Sequence, residues 1–313
     1  MPYEDDEKNE EDEFDLTGVL KGRMLDLSFD YVLIVEWLFE RDERTGSALR
    51  DWLQGKVPAG KVEYAQCRSR AELEVRLDRA RNEVSVRGVP IVHIEAHGEK
   101  PHAGQAPAGF VGPDGNGGSE FLGWERLGDV LRPLNIAARF NLLVVGAACY
   151  GEGLMLGVRG GEPMPFVAVV GYTDTVSSLS LRHSLVELYR ALLLNKAELG
   201  AAVDDADRQR HFPEDALLRP TSMTVLLAES FVQGIAISIR KLRRQLSAKA
   251  GHVDGSQDLD PTLPLEARQM LRAELEHAWS MMWIQKEIPE NARRFAIDAD
   301  RLFEMAIEYA DAL

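Results

Sequence analysis

Cysteine is scarce in this 313-residue chain, which has only Cys67 and Cys149. Two thiols make at most one bridge. That excludes a disulfide-built secreted scaffold and suits a reducing compartment, so a cytoplasmic setting is expected. Long apolar runs are missing too. None approaches the roughly 20 residues that a bilayer-crossing helix needs, so no membrane span is expected. The chain also lacks a basic excess. Lys and Arg number 36 against 51 Asp and Glu, a net charge of −15, which counts against nucleic acid as a partner. The first fifteen residues hold nine acids and one base, with no apolar core of the kind a secretion signal requires. Such a run repels itself and buries nothing, so Glu4 to Asp15 is expected to be disordered. Aromatics are sparse at 7%, but 45% hydrophobic and 28% charged residues make a normal globular balance. The length fits one large or two modest domains.

What is present, from Tyr31 onward, is strand and helix in alternation. The runs 31–37, 90–96, 141–148 and 165–172 are continuous and apolar, as in strands buried on both faces. A shorter strand is expected at 62–67, and 221–227 reads as the last of the series. Helical spacing marks 47–54, 70–83, 124–131 and the face Leu181, Leu185, Leu188 and Leu192. The segment Asp114 to Gly118 reads as the turn of a hairpin between two short apolar patches. This order predicts an α/β fold: a mostly parallel sheet with helices on both faces, over about residues 28–230. A helical extension follows over 231–313, packed on or beside the sheet domain, with Gly251 to Pro264 as a linker.

In open α/β sheets the chemistry gathers beyond the carboxyl ends of the strands. Two strands end in capable residues. One runs Ile91-Val-His-Ile-Glu-Ala-His97-Gly98; the other ends Gly146-Ala-Ala-Cys149-Tyr-Gly151. The His and the Cys lie 52 residues apart, close to the spacing of about 50 found in caspases. The two segments resemble the His-Gly and Ala-Cys-x-Gly motifs of caspase-like cysteine peptidases. The wording at Ala148-Cys149 is closer to the bacterial CHAT-type branch, also related to separase. Leu122-Gly-Trp124-Glu-Arg-Leu127 after the hairpin, and Phe166 to Tyr172 followed by Leu188 to Leu192, are similar to later parts of that family. The resemblance covers about residues 30–230 and rests on the ordered set of motifs. It implies a three-layer αβα sandwich, with Cys149 as nucleophile and His97 as general acid/base. The backbone N–H groups of Gly98 and Cys149 would then form the oxyanion hole. The chemistry is coherent. A thiol with an ordinary pKa near 8.5 is mostly protonated at neutral pH and needs a base beside it. The oxyanion needs fixed donors. Glycine at 98 leaves no side chain in the way, and Gly151 permits a tight turn.

On a strand, His93, Glu95 and His97 point to one side, which mimics a metal cluster. A supporting role for His93 and Glu95 fits better, with Glu95 also a candidate substrate contact beside Tyr150. No metal or cofactor is expected. Asp174, in the turn after Gly171-Tyr172, sits where relatives build part of the pocket for the residue before the scissile bond. An acidic pocket there would favour Arg or Lys, while an apolar or small preference stays open. Cys67 ends another strand without a motif and reads as a core residue. Gly55 to Lys61 has phosphate-loop spacing, but it lacks Ser or Thr after the lysine and precedes a strand. The family resemblance implies a protein substrate, such as a pore-forming effector, cut in bacterial defence or regulated cell death; an activating partner stays open. Two other readings remain: a catalytically silent interaction module of the same fold, and a flavodoxin-like ligand-binding protein.

Overall fold

A computed structural model of the chain describes residue 19 and residues 27–100, 108–249 and 264–312. The acidic segment 1–15, residues 101–107 and most of the expected linker at 251–264 lie outside the described residues.

The central sheet takes the strands β1 (Tyr31–Glu36), β2 (Val62–Gln66), β3 (Pro90–Glu95), β7 (Leu143–Ala147), β8 (Ala168–Tyr172) and β9 (Leu218–Ser222). Their order is β2-β1-β3-β7-β8-β9. The first five run parallel, and β9 is antiparallel to β8 at the edge. Between β3 and β7 the chain makes a small antiparallel sheet of β4 (His97–Glu99), β5 (Gly109–Pro113) and β6 (Ser119–Gly123). Its hairpin turn is the expected Asp114 segment, closed by Asp114 Oδ1 accepting from the N–H groups of Asn116 and Gly118 at 2.7 and 2.8 Å.

Both faces of the central sheet are covered, which is why its strands read as unbroken apolar runs. On one face Val32, Ile34, Leu143 and Val145 pack against α1 (Thr45–Gln54), α4 (Ser178–Tyr189) and α5 (Leu199–Asp207). On the other, Leu33, Val35, Val92 and Val144 pack against α2 (Arg70–Arg87) and α3 (Trp124–Ala137). That second core continues without a break into α6 (Met223–Lys249), α7 (Leu265–Met282), α8 (Pro289–Arg294) and α9 (Ala299–Ala312). The result is the expected three-layer αβα sandwich with C-terminal helices.

Two expectations need correction. The strand expected over 221–227 stops at Ser222, and Met223 opens α6. The residues after it follow a helical period, with Leu227, Ala228, Val232, Ala236 and Ile239 buried on one side. The strand itself is the shorter, more polar Leu218–Ser222, and its Pro220 is tolerated because β9 is an edge. The domain boundary expected near residue 230 falls inside α6, whose apolar side belongs to the same core as the sheet. Met223–Gln245 is long and apolar enough to cross a bilayer, a length the apolar-run count did not register. Its buried side is engaged with α9 and the sheet.

Candidate active site

The site lies at the carboxyl end of the central sheet. β3 and β7 are neighbours, with Glu95 paired to Ala147. His97 and Cys149 each stand two residues beyond that pair, so the topology brings them to adjacent strand ends. The backbones touch: a Cβ on Gly98 would overlap the carbonyl oxygen of Cys149, so only glycine fits there. Gly151 is equally constrained, because a Cβ on it would overlap the Gly146 carbonyl oxygen. Between them Tyr150 takes a left-handed φ of 55°. The chain thus turns sharply at the end of β7 and leaves the Cys149 side chain partly exposed.

His97 does not share the pleat of His93 and Glu95. β3 ends at Glu95, and His97 opens β4, where it pairs with Val111. The imidazole is half-exposed. Its Nε2 lies 2.8 Å from Asp42 Oδ2, and the same oxygen accepts the Phe39 N–H at 2.7 Å. The Phe39 ring stands beside the imidazole, with centroids 5.7 Å apart. Asp42 therefore sits on a tight turn after β1 and fixes the ring. With a carboxylate on Nε2, the proton belongs on that nitrogen, and Nδ1 is the basic one.

The Cys149 sulfur accepts from the Val176 N–H at 3.5 Å and donates to the Val176 carbonyl at 3.8 Å. Among the described residues no hydrogen bond joins it to His97, and the Cys149 N–H has no acceptor. That N–H is therefore open to an external oxygen. Val176 is held by its own loop: Asp215 accepts from Ser177 N and Oγ at 3.2 and 2.6 Å. Burial pushes the Asp215 carboxyl up, but its bonds from Ser177 and Ser180 outweigh this and leave it below the usual range.

Behind the site is a buried polar cluster. Glu36 and Glu95 are paired across β1 and β3, and both are fully buried. The first turn of α1 caps them. Ser47 N–H donates to Glu36 at 3.1 Å, and Thr45 Oγ1 to Glu95 at 2.5 Å, where the positive end of the helix dipole favours carboxylates. Arg44 and the Tyr64 hydroxyl both reach Glu36 at 2.9 Å. His93 bridges Glu95 and the Tyr189 hydroxyl at 3.1 and 3.0 Å. At Gly46 a Cβ would stand 3.0 Å from Glu36 Oε2 and 3.1 Å from Glu95 Oε2, so a larger residue would press on both carboxylates. This cluster anchors the far end of the 37–44 loop that carries Asp42. The near end is held by Trp37, which donates to the Glu95 carbonyl at 2.7 Å and the Pro113 carbonyl at 2.9 Å.

Glu95, expected as a substrate contact, is thus an interior residue with both oxygens occupied, and no substrate can reach it. The His93-Glu95-His97 metal mimic also dissolves, since the third member faces Asp42. Tyr150 and Asp174 do lie together beside Cys149. The Tyr150 N–H donates to the Asp174 carbonyl at 3.0 Å. A hydrogen bond between their side chains holds the phenol up and the carboxyl down. Cys67 is buried, and burial pushes its thiol up to about 12, which makes it an inert core residue. Sequence reasoning missed Asp42, Glu36 and Val176. Only Asp42 had a signal, as a carboxylate just past a strand's carboxyl end.

No family model and no curated protein matches the chain. Among solved structures it is similar to a secreted C11 cysteine protease from Bacteroides thetaiotaomicron, solved in complex with an irreversible peptide inhibitor. The two share 9% identity over 66% of this chain and 70% of that one, with a TM-score of 0.42. A likeness of this degree assigns no residue a role.

Proposed function

We propose that the protein is a cysteine endopeptidase in which Cys149 is the nucleophile and His97 the general acid/base. The observation that carries this reading is the meeting of two strand ends. A carboxylate-oriented imidazole stands on one, and a partly exposed thiol with an open N–H stands on the other, in backbone contact through Gly98.

The steps follow from these groups. His97 takes the thiol proton at Nδ1 as the sulfur attacks the scissile carbonyl carbon. The carbonyl oxygen becomes an oxyanion held by the N–H groups of Cys149 and Gly98. The tetrahedral species collapses, the C–N bond breaks, and the leaving amine takes the proton from His97. A thioester remains on Cys149. Water attacks it, His97 accepts the water's proton and returns it to the departing sulfur, and the carboxylic acid product leaves. Asp42 keeps the ring in one tautomer through the cycle.

The ordered motifs along the chain support a finer assignment, to the CHAT-type branch of caspase-like peptidases. On this reading the enzyme cuts one chosen protein, such as a pore-forming effector, in bacterial defence or regulated cell death, on encounter with an activating partner. Both cysteines are free thiols, which suits a cytoplasmic site of action.

The test is covalent labelling of the full chain with a panel of peptide acyloxymethyl ketones that vary the residue before the warhead. The expected result is labelling that vanishes in Cys149→Ala and slows about a hundredfold in His97→Ala, the usual range for general acid–base catalysis. Labelling that persists in Cys149→Ala would overturn the assignment.

A further inference from the structure

This acidic chain carries a basic groove on α6. From Ser230 to Lys249 that helix has five bases and no acid, in a protein whose net charge is −15. Arg243 turns toward α9 and pairs with Asp311. Arg240, Lys241 and Arg244 stand on a different face and, with Ile237 and Gln245, line an open groove of about 510 Å³. The three cations follow Ile237 at helical spacing, so they surround it on one side of the helix. Ile237 is itself 63% exposed. Among the described residues, none of the three cations has an ion-pair partner. The acids of α9 are engaged elsewhere, Asp311 with Arg243, and Glu304 and Glu308 with Arg301. The helix dipole favours bases near a C-terminus, but that does not explain an isoleucine left in water among them.

What fits such a groove is an acidic peptide with an apolar residue at one end, and the chain itself has one within reach. Val19 is buried at the start of α9, where its carbonyl accepts from the Asp298 N–H at 2.7 Å. α6 and α9 run side by side in the same direction. At one end the Phe231 ring of α6 meets Trp279, whose Nε1 donates to the Phe295 carbonyl just ahead of α9. At the other end Arg243 meets Asp311. Val19 therefore stands near the level of Phe231. Along α6 from there, Ile237 lies about 9 Å away and Arg244 about 20 Å, at about 1.5 Å per residue. Back along the chain from Val19, Leu16 and Phe14 are reached within about 10 and 17 Å, at about 3.3 Å per residue. Nine acids lie between Glu4 and Asp15. The two orders match: apolar residues meet Ile237, and the acids beyond them meet the cations. We propose that the α6 groove is a receptor for acidic peptide and that its resident occupant is segment 4–16 of this same chain. The inference is independent of the chemistry at Cys149. Exposed ion pairs are individually weak, but a short tether supplies the segment at an effective concentration of about a millimolar. A partner that uses this surface must bring an acidic segment of its own and outcompete the tail.

The test is competition between the tethered segment and a free copy of it. A fluorescent peptide of residues 1–17 is titrated by anisotropy with three full-length proteins: the wild type, a variant whose nine tail acids are changed to the matching amides, and that variant with Arg240→Ser, Lys241→Ser and Arg244→Ser added. The peptide is expected to bind the neutral-tail variant about tenfold more tightly than the wild type, because the wild-type groove is already filled from within. The difference should shrink in 0.5 M NaCl, where exposed charges are screened, and binding should vanish with the serine changes. Equal affinity for the wild type and the neutral-tail variant would overturn the proposal. So would binding that survives the serine changes, or no binding to any of the three. In the last case, binding of the neutral-tail variant to phosphatidylserine vesicles would make the groove a lipid-facing surface instead. A second measurement needs no variant. A carbodiimide activates carboxylates, and a neighbouring lysine amine displaces the urea to form an amide. In a mixture of ¹⁵N-labelled and unlabelled wild type, mass spectrometry should find Lys241 joined to an acid of segment 4–15 from the same chain. Lys241 joined only to acids of another chain, or only to acids outside the tail, would also overturn the proposal.

Discussion

On the proposed reading, Asp42 is where a single side chain decides whether His97 can act as the base. Its Oδ2 serves two donors, the Phe39 N–H and His97 Nε2. Asparagine has nearly the same shape but only one acceptor oxygen. If that oxygen stays on Phe39, the amide nitrogen faces Nε2 and drives the ring proton to Nδ1, so the base is lost. If the amide turns round, the Phe39 N–H meets another donor. Asp42→Asn is therefore expected to lower kcat about a hundredfold, within the range of acid–base effects, with KM little changed. The Asp42 side chain is about a quarter exposed and Asn keeps its shape, so the melting temperature should move little. Steady-state kinetics on the best substrate from the labelling panel, with a thermal melt beside them, checks both halves. A variant with full kcat would mean that Asp42 is a surface ion pair and nothing more.

At the scale of elements, the loop between β1 and α1 matters most, because it carries Asp42 and is tied at both ends. Its α1 end depends on the Glu36 and Glu95 cluster. Glu95→Ala removes the acceptor of Thr45 Oγ1 and His93 Nε2 in the buried interior. Leaving those two buried donors unsatisfied costs about 1–3 kcal/mol each, and a loss of about 2–6 kcal/mol is expected in urea unfolding. Substrate affinity should be affected far less than stability, since Glu95 touches no substrate; a variant of normal stability with a raised KM would refute this placement. The same elements explain what was legible beforehand. β1, β3, β7 and β8 are buried on both faces, so their composition alone declares them. β9 does not declare itself, because Arg219 and Pro220 make a strand only by pairing with β8. The mostly apolar run just after it, Met223 to Leu227, imitates a strand while forming the start of α6. His97 and Cys149 were legible because a motif fixes them to strand ends. Asp42 was not, since Phe39 to Asp42 becomes a site only when β4 swings His97 out of the β3 pleat and over that turn. Glu95 was misjudged for the same reason: extrapolating one strand through residue 97 placed it on the surface.

For the molecule as a whole, the question is whether the C-terminal helices are an appendage or part of the fold. Their contacts favour the second. Among the described residues α6 packs closely against α9. Trp283 is stacked on Phe295 with centroids 3.9 Å apart, and both rings meet Phe140 at the end of α3. Arg294 then caps that end by donating to the Phe140 carbonyl at 2.6 Å. The Met164 N–H, on the approach to β8, donates to the Met282 carbonyl at 3.0 Å. Even Val19, ahead of the sheet, accepts from Asp298 N–H at the start of α9, at 2.7 Å. Trp279, Met282, Trp283, Phe295, Leu302 and Phe303 are all buried here. At about 2 kcal/mol each, these six side chains contribute on the order of 12 kcal/mol, as much as the whole net stability of a typical domain. A chain ending at Ala250 should therefore fail to fold cooperatively, as followed by circular dichroism during urea titration. Because a truncation can fail for trivial reasons, Trp283→Ala in the full chain is the companion, with an expected loss of about 3–5 kcal/mol from the cavity alone. Its effect should also reach labelling at Cys149 under mild denaturant, since the residues after Cys149 run from Gly151 to Gly157 against α3, the helix whose end Trp283 supports. If the truncated chain instead unfolds cooperatively and labels at the normal rate, the sheet and its first five helices are self-sufficient, and the extension serves some purpose other than holding the site together.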